Sequence, residues 1–318
     1  MSHPFLKWAG GKRQLLPIIQ KYYPFDNGYT KYVEPFIGGG AVLFDILDKY
    51  DIKEAYISDI NQNLINTYQV IQKHVKLLIK ELNVLESNYF NMSTDKKEQY
   101  YYDCRTKYND EKTILSCNLK DRVQQAARMI FLNKTCFNGL YRVNSKGEFN
   151  VPWGKSLQPT ICDKDNLLAV AKKLKPVQIF CCTYNNMLKH IDDRTFVFMD
   201  PPYRPLNTSS NFNSYSNNSF DDQEQTRLAE FARKIDKLGG KFIVCNSAPH
   251  NVDMSDDFFD DLYHEFDVIR IPATRMINSK ASARGAINEL LITNIKPWGN
   301  AHGFYCFFQS KSKIYTII

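Results

Sequence analysis

The chain has 318 residues, with 41 Lys+Arg against 34 Asp+Glu, 43% hydrophobic and 14% aromatic residues. That apolar content can offset chain entropy, which excludes disorder, and 14 glycines and 13 prolines are too few for a collagen-like or low-complexity fibre. No stretch approaches the roughly 18 apolar residues of a membrane span, and the start, MSHPFLKWAGGK, breaks on charge and glycine where a signal peptide needs its apolar region, so a soluble, cytoplasmic chain with no membrane partner is expected.

The length suits one large domain or two unequal ones. The net charge of +7 is unevenly placed: residues 1–65 hold 7 basic and 7 acidic side chains, 66–159 hold 15 and 9, and 160–318 hold 19 and 18. A basic central block therefore interrupts a nearly neutral body. Both a polyanion partner and a solvated, lysine-rich helical face account for such a block. The 8 cysteines form no CxxC pair and the 6 histidines no HExxH spacing, so reduced thiols and no metal site are expected.

The first informative segment is Lys31–Phe44, KYVEPFIGGGAVLF, where an apolar strand enters three glycines and then a helix-like run. Glycine lets the backbone approach a ligand closely at the N-terminus of the following helix. A second strand at Ala55–Ile57 leads to Asp59, 19 positions after Gly40, the spacing at which α/β nucleotide sites place a carboxylate on ribose hydroxyls. Singly, the glycines could be a tight turn and Asp59 a helix cap; together they favour an adenosine-containing cofactor. Residues 66–130 then read as helical. Strands return at Val177–Cys182, Thr195–Met199 and Lys241–Cys245, with a helix over Gln223–Leu238 stopped by Gly239-Gly240. This alternation predicts an α/β fold with a mostly parallel sheet, interrupted by a helical insert. Asn207–Ser219, polar and rich in Asn and Ser, reads as a lid or linker.

Asp200-Pro201-Pro202-Tyr203, directly after the strand Thr195–Met199, is the most specific signal. Prolines end the strand and present their carbonyls rigidly. A carboxylate acceptor, a presented carbonyl and an aromatic face together suit a planar amine.

With these motifs in order, the chain resembles the adenine-N6-specific DNA methyltransferases, and among them the DNA adenine methylase (Dam) and DpnII-type group. The resemblance covers about residues 5–295 and rests on FLKWAGGK (Phe5–Lys12), EPFIGGG (Glu34–Gly40), SDIN (Ser58–Asn61), FNGLYRVNSKGEFNVPWG (Phe137–Gly154), DPPY (Asp200–Tyr203) and TRMINSKASARGAINELLITN (Thr274–Asn294). It implies a Rossmann-like, class I S-adenosylmethionine-dependent methyltransferase fold, with residues 1–65 and 160–298 as the catalytic domain and 66–159 as an inserted helical and β-hairpin DNA-recognition domain. Residues 299–318 form a tail of unassigned role.

The resemblance further implies that Trp8 and Lys12 hold S-adenosylmethionine, that Phe36 with Gly38, Gly39 and Gly40 lines its methionine and ribose side, and that Asp59 takes the ribose hydroxyls. Asp200, between cofactor and base, and the Pro201 carbonyl would accept the two N6 hydrogens of a flipped adenine, with Pro202 fixing the turn and Tyr203 stacking on the ring. Many relatives carry an Asp-Phe pair for the cofactor's adenine where this chain has Thr183-Tyr184, so Tyr184 would pack there without a neighbouring carboxylate.

Leu140–Val143 and Glu148–Val151, flanking a turn at Asn144–Gly147, are expected to form a ribbon for the major groove. Its Leu140 and Arg142 would read bases in a palindromic GATC duplex. Phe137 and Asn138 would enter the opened stack, Pro152 would lie on the same DNA-facing motif, and Lys7, Lys134, Lys146 and Lys155 would meet phosphates. Arg275, Lys280 and Arg284 suggest a further backbone-contacting loop before a strand at Glu289–Thr293. A cognate restriction endonuclease and a monomer or weak dimer are compatible with this assignment. An adenine methyltransferase of another DNA sequence or of RNA, a DNA-occupying module and an NAD-dependent dehydrogenase are the alternatives; the last needs GxGxxG and leaves DPPY and the basic block idle.

Overall fold

The structure, a computed structural model, describes residues 2–8, 10–110, 114–204, 220–274 and 286–297. The polar segment around 207–219, the basic trio Arg275, Lys280 and Arg284, and the tail from 299 lie outside the described residues.

The strands among the described residues are β1 (Lys31–Glu34), β2 (Glu54–Asp59), β3 (Val177–Cys181), β4 (Thr195–Met199), β5 (Lys241–Ser247), β6 (Asp267–Thr274) and β7 (Ala286–Thr293). They form a sheet in the order β3-β2-β1-β4-β5-β7-β6. β2 with β3, β1 with β4 and β4 with β5 pair parallel, while β7 pairs antiparallel with both β5 and β6. This is a mostly parallel α/β sheet with an antiparallel edge, as the alternation of elements predicts. All five residues of β4, TFVFM, are buried, as a central parallel strand covered on both faces requires.

The helices are α1 (Leu16–Ile19), α2 (Ala41–Lys49), α3 (Gln62–Phe90), α4 (Thr94–Asp110), α5 (Leu119–Thr135), α6 (Lys164–Leu174), α7 (Asp222–Lys237) and α8 (Phe258–Leu262). The helical reading of the central block is borne out by α3, α4 and α5, with a break at His74, whose φ of −138° is not helical. α7 buries Gln225, Leu228, Ala229, Ala232 and Ile235 on one face. Asp221 caps it by accepting from the Glu224 amide, and Gly239, at φ +81°, closes its end as expected.

One strand goes unannounced in the sequence, and one expectation changes. The segment 267–274 carries a strand that its Arg270 and Pro272 conceal; Arg270 is buried because Asp260 takes its guanidinium in two bonds of 3.1 and 2.6 Å. The two expected strands of the ribbon are not regular ladders: a single antiparallel bridge joins Val143 to Phe149. The turn between them does form, with the Gly147 amide donating to the Asn144 carbonyl at 2.9 Å and Gly147 at φ +78°. Short pairing follows from local chemistry, since Asn144 Oδ1 accepts from the Lys146 and Glu148 amides and so fastens the chain to its own turn.

The described residues pack as two compact units, one of residues 2–13 and 35–186, the other of 14–34, 187–204, 220–274 and 286–297. In the first, α3 and α5 bury Tyr68, Tyr89 and Phe131 completely. In the second, Tyr32, Phe196, Phe198, Phe231 and Phe242 fill the core. Each of the seven described cysteines is a free thiol. Among the described residues no helix is long and apolar enough to cross a membrane.

Candidate active site and nucleic-acid interface

The glycine turn follows β1 and the Asp200 tetrad follows β4, so both motifs begin at the carboxyl ends of strands paired in parallel, where open α/β sheets bind ligands.

In the first unit the glycine turn is held against the end of β2. The Ile37 amide donates to the Ser58 carbonyl at 3.0 Å, the Gly40 amide to Ile37 at 2.8 Å, and the Tyr68 hydroxyl to the Gly38 carbonyl at 3.0 Å. Gly38 and Gly40 sit at φ +46° and +72°, where side chains are disfavoured, and a Cβ on Gly40 would lie 2.6 Å from the Tyr68 hydroxyl. α3, α5, α6 and α7 are each capped by an Asn or Asp side chain, whereas α2 starts from Gly40 without one. Its first amides therefore face the turn. Asp59 ends β2, accepting from the Gly38 amide at 3.3 Å and the Asn61 amide at 2.9 Å. Burial nevertheless pushes its carboxyl up to about 6, against the pull of those backbone donors.

Trp8 packs on this turn: Cβ atoms built on Gly38 and Gly39 would meet its side chain at 2.9 and 3.0 Å. Lys12 is buried, 3% exposed, with its ammonium donating to the Gly10 carbonyl at 2.6 Å. Phe36 and Tyr184 stack on each other, centroids 5.5 Å apart. Thr183, at the position where a carboxylate is missing, donates its hydroxyl to Asn186 Oδ1 at 2.8 Å. Trp8, Lys12, Phe36, Gly38–Gly40, Asp59 and Tyr184 thus all belong to the first unit.

In the second unit, Asp200 leaves β4 and the turn after it is pinned by polar groups that no local motif announces. Gln225 of α7 donates to the Pro202 carbonyl at 3.2 Å, and Asn246 of β5 accepts from the Arg204 amide at 3.1 Å. Among the described residues the Pro201 carbonyl takes no hydrogen bond. The Tyr203 hydroxyl donates to Glu289 Oε2 at 2.7 Å; burial and the nearby carboxylates keep its proton on well above the ordinary tyrosine range. Arg204 bonds Asp222 and Asp256 and lies over the Phe258 ring at 4.3 Å, anchoring the far end of the turn.

The residues expected to face DNA lie in the first unit. From 140 to 144 buried and partly exposed positions alternate: Tyr141 and Val143 point in, while Leu140, Arg142 and Asn144 reach the surface. Arg142 is oriented by Asn150, its Nε donating to Oδ1 at 2.8 Å. Phe137 is 51% exposed, and Asn138 and Lys155 are the non-glycine residues with positive φ among the described ones, both at +56°. Such strain gathers at functional segments. Pro152 is exposed and its carbonyl accepts from the Phe137 amide, joining the two arms of the motif. Lys7 is exposed, and its backbone is clamped by the buried Asn133, which accepts from the Lys7 amide and donates to both the Lys7 and Gly139 carbonyls. Lys134 is held below the usual lysine range by burial and by Lys7.

Sequence reasoning missed Tyr68, Asn133, Gln225, Asn246 and Glu289. Only Asn246 and Glu289 carried a signal: polar residues bordering the apolar runs of β5 and β7. One group of potential metal ligands occurs among the described residues, His250, Asp257 and Asp260, and Arg270 already takes both Asp260 oxygens.

A class I sheet with a glycine turn after β1 and an acidic Pro-Pro-aromatic turn after β4 is the frame of a methyltransferase acting on an amine. The chain belongs to the D12 class of N6 adenine-specific DNA methyltransferases, whose family model matches residues 8–277. It is 46% identical over 295 residues to the type II methyltransferase M.MjaIII of Methanocaldococcus jannaschii, covering 92% of this chain and 98% of that one. It is 36% identical to the type II methyltransferase M1.LlaDCHI of Lactococcus lactis subsp. cremoris, over 92% and 95% of the two chains. The DNA adenine methylase of Escherichia coli (strain K12) is 30% identical over 91% of this chain and 94% of its own.

Proposed function

We propose that the chain transfers a methyl group from S-adenosylmethionine to N6 of an adenine flipped out of duplex DNA, within GATC. The observation that carries this reading is the Asp200-Pro201-Pro202-Tyr203 turn at the end of β4, with the Pro202 carbonyl engaged by Gln225 and the Tyr203 hydroxyl by Glu289. The tetrad itself offers one carboxylate, one backbone carbonyl and one ring. Asp200 and the Pro201 carbonyl accept the two N6 hydrogens, which draws the amine lone pair out of the ring and makes it nucleophilic. Tyr203 stacks on the base and recovers ~1–3 kcal/mol of the few kcal/mol that flipping costs. S-adenosylmethionine would supply the electrophilic methyl and leave as the neutral thioether S-adenosylhomocysteine, while N6 gives up one of its two protons to solvent. The glycine turn fits its close approach, Asp59 fits its ribose diol, and Lys12 and Trp8 hold its methionine end.

Residues 66–159 act as the reading domain, with Leu140 and Arg142 on base edges, Phe137 and Asn138 in the opened stack, and Lys7, Lys155 and Pro152 along the backbone. The type II names of two relatives favour a role beside a restriction endonuclease of the same target.

Labelled S-adenosylmethionine incubated with duplexes containing or lacking GATC tests the proposal. Label on adenine N6 only in the GATC duplex is expected. Equal labelling of both removes the target assignment, transfer to structured RNA in preference to either duplex moves the substrate class, and no transfer to any nucleic acid removes the function.

A further inference from the structure

Tyr141 belongs to the DNA-reading motif by sequence, yet its side chain turns inward, 7% exposed, between Leu140 and Arg142. Its ring stacks on the Trp8 indole with centroids 5.1 Å apart and planes 19° from parallel. The Trp8 side chain also lies against Gly38 and Gly39, so closely that an added Cβ on either would meet it within about 3 Å. The Tyr141 hydroxyl interacts with Asn61, whose own amide donates to Asp59 Oδ1 at 2.9 Å. A second fastening runs beside the first: buried Asn133 ties the Lys7 backbone, next to Trp8, to the Gly139 carbonyl, next to Leu140. One indole thus has the donor-side glycine turn against it and the inner side of the base-reading segment stacked on it.

We propose that Tyr141 is a positioning residue that couples duplex reading to donor binding, so that cognate DNA and S-adenosylmethionine tighten each other's binding through the Tyr141–Trp8 stack. The inference rests on the function proposed above and adds a linkage to it. A duplex that orders Leu140 and Arg142 orders Tyr141 between them; the ordered ring fixes the indole, and the indole fixes the turn that meets the donor. Ordering already completed by one ligand is not required again of the other, which is the physical content of positive coupling. Linkage demands that the factor be the same in both directions.

The experiment measures the dissociation constant of S-adenosylhomocysteine, which cannot donate a methyl, with and without a GATC duplex, and that of the duplex with and without S-adenosylhomocysteine. Methyl transfer from S-adenosylmethionine to the same duplex is assayed in parallel. In the wild-type chain both ratios should agree and exceed about fivefold. Tyr141→Phe keeps the ring and should stay within about twofold of that factor, whereas Tyr141→Leu and Tyr141→Met remove the stack at similar volume and should bring it to between one and two. A merely structural role would change single affinities and leave the ratio. Should the leucine variant not fold, the wild-type, phenylalanine and methionine arms still decide the matter. Wild-type ratios near one alongside normal methyl transfer would overturn the coupling and leave the proposed function standing, as would full coupling in a folded Tyr141→Leu or Tyr141→Met. Loss of coupling in Tyr141→Phe would overturn the stack as its basis. No methyl transfer at all would remove both.

Discussion

If Asp59 holds the donor's ribose as proposed, donor binding should be sensitive to pH in a window where most carboxylates are silent. Its carboxyl is pushed by burial from the ordinary 3.8 up to about 6, and a ribose diol is held by donating both hydroxyls to the ionised form. With that pKa the ionised fraction falls from about 99% at pH 8 to about 9% at pH 5. The donor dissociation constant should therefore rise about tenfold over that range, roughly 1.4 kcal/mol, flat above pH 7 and with a slope approaching one decade per pH unit below 6. The sign for the donor-free fold is the reverse. A carboxyl whose folded pKa is raised favours the fold in its protonated form, so this contribution is present below about pH 4 and is lost as pH rises through 6, a difference of roughly 3 kcal/mol. Titration calorimetry with S-adenosylhomocysteine at pH 5 to 8, with folding checked by circular dichroism at each point, reads the effect. Asp59→Asn should bind more weakly at pH 8 and lose most of the pH dependence. A wild-type affinity that stays level from pH 8 to 5 while the fold is intact would refute the reasoning.

Other perturbations follow from the same geometry. Gly40→Ala places a Cβ at positive φ and 2.6 Å from the Tyr68 hydroxyl; left-handed strain of ~1–2 kcal/mol plus overpacking of ~1–3 kcal/mol should lower the denaturant midpoint clearly, and an unchanged midpoint would mean the turn is not this tightly enclosed. Glu289→Ala removes the acceptor of the Tyr203 hydroxyl; a hydrogen bond to a charged group contributes ~1.5–3 kcal/mol, so turnover should fall about 10- to 100-fold, with Glu289→Gln recovering part of it, and full activity in the alanine variant would show that the ring needs no such anchor. Arg142→Ala should relax base preference by ~1–3 kcal/mol at one position while donor affinity stays unchanged, and Asn150→Ala should do so to a smaller degree because it only orients the guanidinium. Unaltered discrimination among near-cognate duplexes would place base reading elsewhere.

What the sequence made legible is what short stretches encode. Glycines at 38 and 40 are needed at positive φ, β4 is Thr195 and four apolar residues followed by Asp200 and a diproline, and α7 carries its own Asp221 cap and Gly239 stop; each is written within a few residues of where it acts. The residues that escaped act over distance. Tyr68 reaches back 30 positions to the Gly38 carbonyl, Asn133 reaches 126 to Lys7, and Glu289 meets Tyr203 across 86. No periodicity or turn preference carries such information, because these side chains become specific only once the sheet brings their elements together. β6 was hidden for a related reason: Arg270 reads as a surface residue until Asp260 is beside it. The ribbon was the opposite error, an expected pairing that local bonds of Asn144 confine to one bridge.

The central claim is that the turn beginning at Asp200 activates the N6 amine of adenine. Its most direct test is nucleoside mass analysis of a GATC duplex after incubation with S-adenosylmethionine and either wild-type protein or Asp200→Ala, with duplex binding measured alongside. The account predicts N6-methyladenine from the wild-type chain and none from the variant, which should still bind the duplex and should hold the donor more weakly. N6-methyladenine formed by Asp200→Ala at a rate near wild type would contradict it.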